Sequence, residues 1–123
     1  MIPGKLLEIL EHEGVVAIAT TGEKGPHLVN TWNSYITINE AQKLLIPVGG
    51  MHRTEANLAL RPELLLTLGC REVDGFRGPG TGYLIEGTGV LQTSGPDFEA
   101  MKARFHWMRA VLVVNPEAIT QTL

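Results

Sequence analysis

The chain has 123 residues, of which 44% are apolar and 19% charged, with a net charge of −3 and a single cysteine. That length fits one domain spanning 1–123, and the composition is too apolar for a disordered chain. The acidic balance gives no basic field for nucleic acid, no apolar run nears the roughly 20 residues of a membrane helix, and one thiol makes neither an internal disulfide nor a cysteine metal cage.

Near the N-terminus, Glu8, Glu11 and Glu13 interrupt any apolar run after Lys5, so the segment does not read as a secretion signal and the chain reads as cytoplasmic. Residues 3–12 have the spacing of a short amphipathic helix, with Pro3 in the first turn, Leu6 and Leu10 on one face, and Gly14 to end it. Val15–Thr20 reads as a strand, and Thr21–Pro26 as a turn. His27–Ile38 predicts one long strand. Its alternation places Leu28, Asn30, Trp32, Ser34, Ile36 and Ile38 on one face and His27, Val29, Thr31, Asn33, Tyr35 and Thr37 on the other.

A turn over Asn39–Lys43 leads to a third strand, Leu44–Val48. After the loop 49–53, Thr54 is placed to cap a short helix that runs to about Leu60, where Arg61-Pro62 stops it. Glu63–Arg71 predicts a fourth strand, Val73–Gly82 a glycine-rich loop, and Tyr83–Thr93 a fifth strand with kinks at Gly87 and Gly89. A helix opened by Ser94, Pro96 and Asp97 extends to about Trp107. Ala110–Val114 is the last predicted strand, followed by a tail from Asn115-Pro116 to Leu123. The glycines, 14 in number, fall mostly between strand-like segments. Six strands with inserted rather than alternating helices do not make a parallel sheet; they predict a closed or nearly closed antiparallel barrel.

Two segments carry chemistry. In Ile46-Pro47-Val48-Gly49-Gly50-Met51-His52-Arg53-Thr54, a strand runs through two glycines into a helix start. Glycines let backbone N–H groups approach a ligand, and a helix start offers unpaired donors suited to a phosphate, with the Arg53 fork and the Thr54 hydroxyl beside them. The same residues also suit a plain tight turn with an N-cap. The second segment, Asn30-Thr31-Trp32-Asn33-Ser34-Tyr35, combines aromatic surface with hydrogen-bonding groups, as a heteroaromatic ring system needs, but Trp32 equally suits a core.

Trp107 is either core or a wall of the ligand site, and Gly78–Gly82 is either a surface loop or a phosphate contact. His12, His27, His52 and His106 show no metal-ligand spacing, Cys70 reads as buried and inert, and Ser34 and Ser94 lack a hydrolase elbow or base.

The segments Glu13–Thr20, Gly25–Tyr35, Pro47–His52 and Gly78–Gly82, with the tail Gln121–Leu123, resemble the small bacterial members of the flavin-binding split-barrel (pyridoxamine-phosphate-oxidase-like) superfamily, nearly end to end. The resemblance implies a mainly β fold: a six-stranded antiparallel split β-barrel of Greek-key type with short inserted helices. It implies a homodimer holding one FMN per subunit near the interface. Arg53 and Thr54 would hold the phosphate; Asn30, Thr31 and Trp32, together with Val48, Gly49, Gly50 and Met51, would border the isoalloxazine ring, with Trp107 nearby. Leu123 would reach the flavin of the partner subunit. Arg53 stands where the family pattern has lysine, which keeps the charge and changes its geometry.

These features predict a small FMN-dependent electron-transfer protein that meets a redox partner protein and uses neither nucleic acid nor a membrane. An NAD(P)H-dependent flavin reductase or oxidase-like enzyme, and an FMN store or sensor, are the alternatives.

Overall fold

The computed structural model describes residues 1–123. In chain order the elements are α1 (Gly4–Leu10), β1 (Val15–Gly22), β2 (Gly25–Trp32), a 3-10 turn (Asn33–Tyr35), β3 (Thr37–Ile38), β4 (Leu44–Val48), α2 (His52–Leu60), β5 (Glu63–Gly75), β6 (Gly78–Gln92), α3 (Pro96–Arg104) and β7 (Ala110–Gln121). No helix is long and apolar enough to cross a membrane.

The strands form one sheet in the order β2-β1-β5-β6-β7-β4-β3, and every neighbouring pair is antiparallel. The fold is therefore mainly β, as expected, but it has seven strands rather than six. The expected closure is also corrected, because the end strands β2 and β3 share no ladder.

The extra strand arises where one long strand was predicted over His27–Ile38. The chain stays extended only to Trp32 and then turns through Asn33–Tyr35. Asn33 is the cause: its backbone N–H donates to the Gly14 carbonyl (2.9 Å), and its side-chain Nδ2 donates to the Gly69 carbonyl (3.0 Å). Those bonds hold a strand-compatible residue in a turn, and the chain resumes as the two-residue β3.

Three other boundaries differ from the sequence reading. Val73–Gly82 is not a loop. β5 and β6 continue to a hairpin in which Gly75 pairs with Gly78 around Phe76-Arg77, and Gly78 supplies the φ of +122° that such a tight turn needs. Asn115-Pro116 does not end β7, because the register shifts between Glu86 and Gly87 and lets Pro116 lie opposite Gly87. The α3 helix ends at Arg104, with Phe105 as its C-cap, so Trp107 belongs to the connection before β7.

The inner faces of β1, β4, β5, β6 and β7 meet in one core with Leu6 and Ile9 of α1, which are fully buried. Each such side chain contributes about 1.5–3 kcal/mol. A smaller cluster joins Leu45, Val111 and Val113 to Met101 and Met108, so that α3 covers the outer face of β4 and β7. Coverage on both faces explains why Leu44–Val48 is buried at every residue and reads as a continuous apolar run. Pro47 is tolerated there because β3 pairs only with Leu44 and Leu45.

Candidate functional site

β4 is the strand that delivers the site. It ends at Val48, and Gly49–Met51 turn the chain into α2, which lies against β1 and β2. A side-chain bond fixes that docking: Asn57 Nδ2 donates to the buried Thr20 Oγ1 at 3.1 Å. Gly22 is required beneath it, since a β-carbon there would stand 2.0 Å from Asn57 Oδ1.

The start of α2 is open. Its N-cap residue is Met51, and no side chain caps it. This corrects the expected role of Thr54, which lies inside the helix, with its side chain turned into the protein and 1% exposed. Its Oγ1 is buried without a hydrogen-bond partner. An orphaned hydroxyl costs on the order of 1–3 kcal/mol and calls for an acceptor from outside the chain.

Met51 adopts φ +57° and ψ +35°, a left-handed conformation uncommon for a side-chain-bearing residue, immediately before a right-handed helix. That alternation of hand points successive backbone N–H groups into one concavity, an anion-binding nest at the positive end of a helix. Arg53, the second residue of α2, is exposed and makes no ion pair. It lines a hollow of about 290 Å³ together with Glu23, Lys24, Ala56, Asn57 and Leu60.

Trp107 packs against Gly49. Its side chain is 54% exposed, so the wall reading fits it better than the core reading. It also joins an aromatic cluster: the ring centroids of Tyr35 and Phe105 stand 5.0 Å apart, Tyr35 and Trp107 5.8 Å, and Phe105 and Trp107 5.7 Å. Lys102 holds this connection in place, its Nζ donating to the carbonyls of His106 and Met108 at 2.7 Å each.

The predicted site residues do not all contribute side chains. On β2 the alternation separates them: Asn30 and Trp32 are on the exposed face, and Thr31 is buried. Val48 is fully buried in the main core. Val48 can therefore offer a ligand only backbone, while Thr31 is 5% exposed. Leu123 lies apart within the chain. Its carbonyl accepts hydrogen bonds from Thr81 Oγ1 and Gln121 Nε2, both 2.8 Å, and the two cavities it lines contain none of residues 30–32 or 48–54. Cys70 is half-buried rather than buried.

One residue at the site carries no sequence signal. Arg109 precedes β7 and wraps the Gly49–Gly50 turn, with Nε 3.0 Å from the Gly49 carbonyl and Nη2 2.7 Å from the Gly50 carbonyl. It meets this turn across about sixty residues of chain, beyond the reach of any local pattern.

The glycine turn, the uncapped helix start and the exposed Trp107 beside Gly49 together suit a phosphorylated ligand with a flat ring. Comparison with known proteins gives the family. The family model described as pyridoxamine 5'-phosphate oxidase matches residues 2–123. The chain is 56% identical over 123 residues to the FMN-binding protein of Nitratidesulfovibrio vulgaris (strain DSM 19637 / Miyazaki F), covering 100% of both chains. Among solved structures, HupZ of Group A Streptococcus superposes with a TM-score of 0.80 at 20% identity, over 98% of this chain and 94% of that one. An FMN-binding protein from Syntrophomonas wolfei subsp. wolfei superposes with a TM-score of 0.69 at 14% identity, over 95% of this chain and 88% of that one. With a family match over nearly its whole length and a full-length relative at this identity, the chain belongs to the pyridoxamine 5'-phosphate oxidase family.

Proposed function

We propose that the chain binds FMN at the Gly49–Thr54 cradle and acts as a small electron-transfer protein, a split barrel working as a homodimer in the cytoplasm. The residues present fit the cofactor. The nest at Met51 and the exposed Arg53 suit its phosphate, and the phosphate supplies the acceptor that the buried Thr54 hydroxyl lacks. Trp32 and Trp107 offer exposed aromatic surface for its ring. The 56% identical relative, an FMN-binding protein, supports the same reading. Bound FMN supplies reversible uptake and release of electrons. The chain's residues hold the phosphate, exclude water from the ring and leave its rim within reach of a redox partner protein.

The observation that carries electron transfer over substrate turnover is the brevity of the connections. None exceeds five residues, the longest being 39–43 and 105–109, so nothing in the fold is built to close over a substrate.

The homodimer rests on the exposed face of β1, β2 and β5. Leu28 (70% exposed), Ala19 and Leu65 (45% exposed) lie in one row across the three strands, and Val15 is opposite Trp32 further along. A solvated antiparallel face is normally polar, whereas this one carries Val15, Ala17, Ala19, Leu28, Trp32 and Leu65 beside the uncharged Asn30 and Thr67, and its charges, Glu63 on β5 and Glu86 on β6, lie at its margin. Such a patch is self-complementary across a two-fold axis. It is continuous with Trp32, so a second copy seated there shields the flavin site too.

The test uses protein purified after expression with ample riboflavin. Acid release followed by chromatography is expected to give FMN, and recovery of FAD overturns the cofactor. Rapid mixing of the reduced protein with a one-electron acceptor protein is expected to show direct second-order oxidation. Steady-state NAD(P)H oxidation that saturates in both substrates would instead make the protein a flavin reductase.

A further inference from the structure

We infer that Arg109 sets the preference of this site for the phosphorylated flavin, by holding the Gly49–Gly50 peptides so that their N–H groups face the phosphate and by neutralising Glu55 beside it. The inference rests on the reading of Gly49–Thr54 as the phosphate cradle. Arg109 is a positioning residue: it acts through the turn and the carboxylate and touches no ligand itself.

Its backbone N–H donates to the Val48 carbonyl at 2.8 Å, adding a bond just beyond the β4–β7 ladder, which ends with Val48 opposite Ala110. From there the side chain turns back over the glycines. Nε donates to the carbonyls of Gly49 (3.0 Å) and Gly50 (3.1 Å), and Nη2 donates to Gly50 (2.7 Å) and to Glu55 Oε1 (2.9 Å). Every peptide bond in the chain is trans. In a trans peptide the N–H points opposite to the C=O. Two carbonyls drawn to Arg109 therefore turn the N–H groups of Gly50 and Met51 away from it, next to those of the uncapped first turn of α2. The guanidinium fork selects one arrangement of a pair of glycines that could otherwise adopt many.

The electrostatic part is separate. Glu55 is the acidic residue in the first turn of α2, where its charge opposes any phosphate bound there. Arg109–Glu55 is the one ion pair in the structure. An exposed or half-exposed pair adds little to stability, so its placement at the cradle points to the ligand rather than to the fold. Pairing offsets the repulsion while leaving Arg53 unpaired for the phosphate.

The test compares dissociation constants for FMN and riboflavin, read by flavin fluorescence, in wild type, Arg109→Ala, Arg109→Lys, Glu55→Gln and Arg53→Ala. Loss of Arg109 is expected to weaken FMN about tenfold, as for a lost charge-assisted bond, while riboflavin changes far less. Arg109→Lys keeps the charge but not the fork and is expected to lose most of the same preference. Glu55→Gln leaves every carbonyl contact intact and is expected to tighten FMN. Equal weakening of FMN and riboflavin in Arg109→Ala means that the arginine only stabilises the fold, and weaker FMN binding in Glu55→Gln removes the charge argument; either overturns the inference. If wild type does not prefer FMN to riboflavin, the cradle reading itself fails. If Arg53→Ala abolishes the preference and Arg109→Ala keeps it, the cradle stands and the role of Arg109 falls.

Discussion

Trp107 presses on the backbone of Gly49 so closely that a β-carbon there would stand 3.2 Å from its Cε3 and 3.3 Å from its Cζ3. The contact ties the connection before β7 to the turn after β4, and it gives the glycine a steric purpose besides flexibility. Gly49→Ala is expected to push the ring outward. Both residues are exposed, so apo stability should change by only about 0.5 kcal/mol. The displaced wall is expected to weaken flavin binding and alter the quenching of flavin fluorescence, measured by titration and emission lifetime. Unchanged emission would detach Trp107 from the ring site.

Arg53→Ala is expected to weaken FMN binding by about 1.5–3 kcal/mol, the range for hydrogen bonds to charged groups. Arg53→Lys should lose less. Riboflavin should bind wild type and Arg53→Ala almost equally, since it has no phosphate. Isothermal titration with both flavins measures this, and a parallel fall for riboflavin removes Arg53 from the phosphate contact.

Thr54→Val gives two effects of opposite sign. The valine fills the same space without the orphaned hydroxyl, so the apoprotein is expected to gain about 1 kcal/mol of stability. The holoprotein loses a hydrogen bond to its ligand, and FMN affinity is expected to fall by about 0.5–1.5 kcal/mol. Urea unfolding of the apoprotein and titration with FMN measure the two separately. A fall in both would show that the hydroxyl is already satisfied within the fold.

Leu28→Glu puts a charge at the β2 end of the exposed row Leu28–Ala19–Leu65. Losing one leucine from a buried interface costs about 1.5–3 kcal/mol, and the carboxylate adds repulsion against its own copy. Sedimentation equilibrium is expected to show a shift toward monomer, with little change in the thermal midpoint of the monomer because the residue is exposed there. A mass distribution like that of wild type would direct the search for the interface to another face.

Leu123 is exposed at 64%, and its carbonyl is held by Thr81 and Gln121, so its position does not depend on its side chain. Leu123→Glu is expected to lower the flavin midpoint potential and Leu123→Lys to raise it, because added negative charge disfavours electron uptake and positive charge favours it. Potentiometric titration reads the shift. Identical potentials in both variants would mean that this residue does not approach the ring of the partner subunit.

What the sequence showed and what it hid divide along local and long-range forces. The alternation of β2 was legible, as was the phosphate-like pattern at Gly49–Thr54, because both are written in neighbouring residues. The break after Trp32 was not legible: Asn33 turns the chain by bonds to Gly14 and Gly69, which no window around it contains. The β5–β6 hairpin was hidden by its glycines, which resemble a loop until the pairing of Gly75 with Gly78 is seen. Thr54 looked like a cap, but the helix begins two residues before it, after the left-handed Met51. Arg109 stayed hidden because an arginine beside an apolar strand is common, and only folding brings it to the turn.

The pairing of β4 with β7 has a consequence for how the protein is made. Val48 and the turn after it have no ladder to rest on until Ala110 has left the ribosome, and Arg109 arrives with it. Contacts this distant in sequence form late. A nascent chain that stops short of β7 carries the whole Gly49–Thr54 segment, yet it has nothing to hold that segment in shape. Cofactor capture thus follows translation, and stalled chains of increasing length should begin to retain FMN only after β7 has emerged.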